Sequence, residues 1–287
     1  MRHSVVAALL ATSLVVGCTG VPPSAPAAPI TEEPTTPGVV VPLYVYPAGD
    51  GLRAWDAVAT AARQSPDVPV IAVVNPDNGP GRSADSNYRS VVAELGEAGA
   101  EPAAYVALGF GHRPAREVRS DLRRWRRLYP SITAVFFDEV PVPGNGLSPG
   151  DARTYVTEIS AYAAGRGFTG TMIGNPGTAA PASYAAPDAF DLVVIHEDRW
   201  WPSPEAVDAG PPAEESVVLV YGDGVWDASR ARRLAAEGRY LFVDDHSLDI
   251  VGNGTSPWTF FPNNLDEQLQ VLREYGGSSS DGRGRPR

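Results

Sequence analysis

The sequence predicts an α/β fold, a single-domain (β/α)8 TIM-type barrel, and three observations carry that prediction. Eight short apolar runs recur between residues 39 and 246, mostly continuous rather than alternating, as strands covered on both faces are. Helical patterns separate most of them, which implies right-handed parallel crossovers. Eight such units in roughly 240 residues match the size of this barrel. A doubly wound open sheet is the competing architecture, but the first run leads into YPAGDG (46–51) and lacks the GxGxxG turn of that fold.

Taken in order, VVVPLYVYP (39–47) is the first predicted strand, rich in β-branched and aromatic residues, and AWDAVATAARQ (54–64) the helix after it. VPVIAVVNP (68–76) is the second strand. Its helix spans 85–98, with Asp85 as cap and Val91, Val92 and Leu95 as the apolar stripe. EPAAYVAL (101–108) precedes a helix over 115–129, where Val118, Leu122 and Trp125 keep helical spacing. AVFFDEV (134–140) is followed by a helix over 151–166 with Asp151 as cap. TGTMIGNPG (169–177) and LVVIHED (192–198) are strands five and six, and the short Pro-rich segments after them predict degenerate helices. SVVLVYG (216–222), a helix over 226–237, YLFVDDH (240–246) and a helix over 263–275 complete the series.

The flanks read differently. Arg2 and His3 precede VVAALLATSLVV, a short secretory core too brief for an ordinary transmembrane helix. Val15-Val16-Gly17-Cys18 resembles a bacterial lipoprotein box, so residues 1–17 are expected to be a signal peptide and Cys18 the lipidated residue. Residues 18–38 are a Pro/Ala/Thr-rich tether, 39–276 the folded domain and 277–287 a disordered tail. The expected location is the outer face of the bacterial cytoplasmic membrane, or secretion. The lipid anchor would be the only membrane contact, and the chain is expected to be a monomer. Cys18 is the one cysteine, so a disulfide framework is excluded. A net charge of -11 argues against nucleic acid as a partner. All 23 basic residues are Arg, which excludes a Schiff-base or phosphate-loop lysine.

Side chains at the C-terminal strand ends of such a barrel converge on one mouth. They are Tyr44 and Tyr46, Asn75, Tyr105, Asp138 and Glu139, Asn175, His196 and Glu197, Tyr221, and Asp244 with Asp245 and His246. No helix begins directly after Asp138-Glu139, so a capping role is poorly supported there. Carboxylates on facing strands suit glycoside hydrolysis, in which one acid stays ionised and the other holds a proton for the leaving oxygen. Trp200, Trp201, Trp258, Phe260 and Phe261 add aromatic faces for sugar C–H stacking, and Arg113 at the rim could bind a sugar or pair with a mouth carboxylate.

VPLYVYP, VVNPDNGPG with Asn87-Tyr88, Tyr105-Val106, FFDE and the late VDD…NGTSPW…FP segment together resemble the spherulin-4 family. The resemblance covers Val39 to about Tyr275. It implies a (β/α)8 glycoside hydrolase cutting α-1,4-linked N-acetylgalactosamine-containing exopolysaccharide in endo fashion, without a cofactor or metal. Asp138, Glu139 and Glu197 are the catalytic residues so implied: Asp138 as nucleophile, Glu197 as general acid/base, Glu139 orienting the sugar or tuning its neighbour. Substrate contacts are expected from Tyr44, Tyr46, Asn75, Tyr105, Arg113, Asn175, His196, Trp200, Tyr221, Asp244, Asp245 and Trp258.

Three other functions compete. A cell-surface lipoprotein could bind polysaccharide without cutting it. A metal-dependent deacetylase could use Asp138, His196, Asp244 and His246, although neither a His-x-His on strand one nor an HExxH occurs. A phosphate site at Gly222-Asp223-Gly224 would have its aspartate repel the anion. The acidic balance also suggests a partly de-N-acetylated, cationic polymer as substrate.

Overall fold

The computed structural model describes residues 36–144, 147–222, 224–246, 256–259 and 261–276. The expected signal peptide, Cys18 and most of the tether, together with Asp223, Phe260 and the C-terminal tail, lie outside the described residues.

All eight predicted strands form: β1 (Val39–Leu43), β2 (Val70–Val74), β3 (Glu101–Ala107), β4 (Ala134–Asp138), β5 (Met172–Gly174), β6 (Leu192–Asp198), β7 (Ser216–Tyr221) and β8 (Tyr240–Asp244). They close a parallel barrel in sequence order, so the fold is a TIM-type (β/α)8 barrel. Valine dominates β1, β2 and β7, where the branched side chain suits a pleat buried on both faces. β5 is much shorter than predicted. The ring of Phe190 packs where a Cβ on Gly174 would lie, 2.3 Å away, so glycine lets this aromatic seal the barrel beside β5.

The outer layer comprises α1 (Leu52–Gln64), α2 (Ser86–Glu97), α3 (Ala115–Leu128), α4 (Pro149–Ala164), α5 (Pro204–Asp208), α6 (Ala228–Ala236) and α7 (Leu265–Arg273). Asp85 caps α2 as predicted, accepting from Asn87 N at 2.8 Å. The cap of α4 is Ser148, not Asp151. Its Oγ accepts from Asp151 N (3.1 Å) and donates to Asp151 Oδ2 (2.7 Å), with Pro149 in the first turn, so Asp151 belongs to a reciprocal box one turn in. After β5 the chain forms only a 3-10 turn at Ala182–Tyr184, and after β6 only the short α5, as the prolines there dictate.

Two irregularities interrupt the ladder, one at the seam and one near the mouth. At the closing seam β8 and β1 share one registered pair, Val39 with Leu241. The buried side chain of Gln268 on α7 supplies what the ladder lacks, accepting from Val243 N (2.9 Å) and donating to Val243 O (2.8 Å). In β6 the pairing with β7 slips by one residue between Val194 and His196, so Ile195 is an extra residue, a β-bulge.

Candidate active site

In a strand, residues two apart share a face, and laterally paired residues of neighbouring strands share it too. Tyr105 pairs with Phe136, Ala107 with Asp138, Glu197 with Leu219 and Tyr221 with Asp244. Phe136, Asp138, Glu197 and Leu219 all line one cleft of about 250 Å³ at the C-terminal barrel mouth. The bulge selects the acid that β6 contributes. Were Ile195 paired with Val218 in an even ladder, His196 would meet Leu219 and take the inward position; because Ile195 is bulged out, Glu197 does.

Asp138 and Glu197 are joined through one nitrogen. Asn175 Nδ2 donates to Asp138 Oδ1 (2.9 Å) and to Glu197 Oε2 (2.6 Å), legs that cap the gap between those two oxygens at about 5.5 Å. Asp138 Oδ2 accepts from the Tyr105 hydroxyl (2.7 Å), and its Oδ1 also accepts from Glu139 N (2.9 Å). Glu197 Oε1 accepts from Trp258 Nε1 (3.0 Å). Removal from water, and then the nearby Glu197 charge, push the Asp138 carboxyl up to about 6, although the donors from Tyr105 and Glu139 pull the other way. Burial and the adjacent Asp138 also hold the Tyr105 phenol far above its usual range, so it stays a proton donor. Tyr44 is pushed up for the same two reasons.

Of the residues singled out in the sequence, Tyr44, Asn75, Tyr105, Asp138, Asn175, Glu197 and Trp258 line this cleft. Asn75 is partly engaged, since its Oδ1 accepts from Gly79 N at 2.9 Å. Tyr221 sits behind the wall, edge-on to Trp258 at 5.5 Å between ring centres. Asp244 faces inward but is buried; its Oδ1 meets His246 N (3.0 Å) and Nδ1 (2.6 Å), and its Oδ2 has no partner among the described residues. Asp245 accepts from Asn263 N (3.0 Å).

One expected catalytic residue, Glu139, and several expected substrate contacts lie elsewhere. Glu139 turns out of the cleft because its backbone is left-handed (φ 53°): Gly109 N donates to its Oε2 (3.2 Å) and Phe110 N to its carbonyl (2.7 Å). Arg113 is not paired with a mouth carboxylate; it binds Asp121 of α3 and the carbonyl of Ala107 (2.8 Å). Tyr46, at the rim, donates to Asp85 (2.9 Å). His196 points outward to the carbonyl of Trp200 (2.5 Å), and Trp200 is 70% exposed. Asp244, Asp245 and His246 can bring one donor atom each within 4.8 Å of one another, but no such cluster among the described residues includes Asp138 or His196. The ligand set of the metal-dependent alternative is therefore not assembled.

The cleft also uses residues that carry no functional signal of their own in the sequence: Pro42, Asn78, Phe136, Leu219, Ser256 and Pro257. Pro42, Phe136 and Leu219 each lie two residues before Tyr44, Asp138 and Tyr221, so stepping back by one strand period finds them. Asn78 sits at φ 46°, a conformation that the Asp-Asn-Gly sequence favours. No periodic signal marks Ser256 or Pro257.

The family model for Spherulation-specific family 4 (Spherulin4) matches residues 38–271. Spherulin-4 of Physarum polycephalum is 33% identical over 161 residues, 56% of this chain and 44% of that protein, so the chain spans under half the length of this relative. Among solved structures, Aspergillus clavatus Sph3 in complex with GalNAc is similar with a TM-score of 0.69 at 24% identity, covering 83% of this chain and 98% of that one.

Proposed function

The chain belongs to Spherulation-specific family 4, and from that membership and the geometry of its cleft we propose that it is a glycoside hydrolase acting on an amino-sugar exopolysaccharide. The observation that carries this reading is the bridge from Asn175 to both carboxylates, with their facing oxygens no more than about 5.5 Å apart. That spacing suits a two-step displacement with retention better than an inverting reaction, in which the two acids stand about 6.5–9.5 Å apart to admit a water. Asp138 attacks the anomeric carbon as Glu197 gives its proton to the departing oxygen, leaving a glycosyl ester on Asp138. Glu197, now ionised, takes a proton from water, and the resulting attack on the anomeric carbon frees Asp138. Three donors, from Tyr105, Asn175 and Glu139 N, aim Asp138 and favour its ionised form, which supports it as the nucleophile.

The GalNAc bound in the Sph3 structure supports an N-acetylgalactosamine-containing polymer as the first substrate to try. The export signal read at residues 2–18 supports action outside the cell. The test is incubation of the purified chain with galactosaminogalactan-type polymer and other amino-sugar exopolysaccharides, with new reducing ends read by mass spectrometry. Asp138→Asn and Glu197→Gln should each lower turnover roughly a thousandfold while polymer is still bound. Binding without new reducing ends in the parent chain would instead mark a carbohydrate-binding lipoprotein.

A further inference from the structure

Beside the cleft, on the loops after β6 and β7, runs a second groove of about 340 Å³, lined chiefly by Arg199, Trp200, Trp201, Val225, Trp226 and Arg230. Of the six tryptophans in the chain, Trp55 and Trp125 are buried in the core and Trp258 lines the cleft; the other three meet here. Trp200 is the most exposed of the large apolar side chains among the described residues, and with Trp201 and Trp226 it forms an aromatic patch along one concavity instead of standing alone. The groove is held in shape. Trp201 Nε1 donates to Val225 O (2.6 Å), His196 Nε2 meets Trp200 O (2.5 Å), and Asp227 caps α6 at the groove floor. Arg230 is ion-paired with Asp227 (3.3 Å), whereas the Arg199 guanidinium has no carboxylate partner among the described residues.

Along the chain the groove adjoins the cleft. Glu197 belongs to the cleft and Arg199 to the groove, two residues on, so their Cα atoms lie within about 7 Å of each other. The Tyr221 ring packs edge-on against Trp258 of the cleft, and its phenol lies within electrostatic reach of Glu197, Asp198 and Arg199. We propose that the groove is an outlying subsite for the same polysaccharide chain, a reading that rests on the proposed function and extends it beyond the sugars at the reacting bond. Indole faces take the C–H faces of successive sugar rings, and the Arg199 guanidinium offers donors to hydroxyl and acetamido oxygens. A site built this way gains nothing from a ligand that fills the cleft alone, so its signature is dependence on chain length.

The experiment uses the full chain carrying Asp138→Asn, so that ligand survives, and measures affinity for N-acetylgalactosamine oligosaccharides of increasing length and for the polymer. Affinity should rise with length. Trp200→Ala, and separately Arg199→Ala, should remove that rise, each costing about two- to twelvefold on long chains, with a loss that shrinks as the chain shortens. Equal affinity with and without these substitutions, a loss of the same size at every length, or no retention of the polymer by the parent chain would overturn the subsite. Cleavage is scored in parallel with the unmodified protein. Cleavage without the length-dependent loss sinks the subsite alone, and length-dependent binding without cleavage sinks the hydrolase reading alone.

Discussion

Asp138 is caught between burial, which favours its neutral form, and three donors, which favour its charged one; burial prevails. If it attacks as the anion, kcat/KM on polymer should climb with a midpoint near pH 6, and a limb falling through that pH would exchange its role with that of Glu197. Stability carries the same signature. The folded carboxyl holds its proton up to about 6 and the unfolded one only to 3.8, so its contribution is complete below that lower value and is lost as pH rises through the higher. Relative to Asp138→Asn, the parent chain should lose about 2 kcal/mol between pH 4 and 7.5; urea titrations of both proteins at the two pH values would measure it, and parallel curves would refute it. Asn175→Ala frees both acids from their shared anchor and should lower kcat by roughly a hundredfold with little change in KM, read by steady-state kinetics. Much of this constellation is legible as letters at strand ends. What letters do not supply is direction, so Glu139 groups with Asp138 by position although its left-handed backbone turns it toward Gly109.

Regular elements announce themselves more clearly than their ends do. Apolar runs locate all eight strands because burial on both faces leaves a continuous signature, yet the runs overshoot, since Tyr44–Pro47 and Asn75–Pro76 already belong to the mouth. The cap of α4 shows the same limit: Ser148 and Asp151 are both good caps, and only the reciprocal bonds assign Ser148. Nothing in the sequence of α7 marks Gln268 as part of a strand seam. Its amide occupies both backbone groups of Val243, so Gln268→Leu leaves a buried N–H and C=O without partners. That change should cost about 2–4 kcal/mol in urea or thermal unfolding, and a loss under about 0.5 kcal/mol, the level of an ordinary surface change, would show that the seam closes without it.

The barrel gathers residues from all along the chain, which is why the fold can be inferred from repetition while the site needs coordinates. Asp138 and Glu197 come from β4 and β6, Asn175 from the residue after β5, and Trp258 from the segment after β8. Charge acts over the same distance. With a net charge of -11, the chain should draw a partly de-N-acetylated, cationic polymer toward its acidic mouth, so cleavage of that polymer should slow as salt rises from 0.05 to about 0.5 M while cleavage of fully acetylated polymer changes little. Equal rates for both at every ionic strength would dismiss the effect.

The extra residue in β6 governs how relatives of this chain can be compared. LVVIHED paired evenly, with Ile195 opposite Val218, would offer the cleft an imidazole and turn its glutamate toward the helical layer, a different chemistry from the same letters. Deleting Ile195 would close the bulge with Val194 still opposite Val217 and Glu197 still opposite Leu219, so the acid should keep its inward place and lose only the local kink. Aligning a glutamate with Glu197 says little about a homologue until the strand pairing of the residues before it is also known.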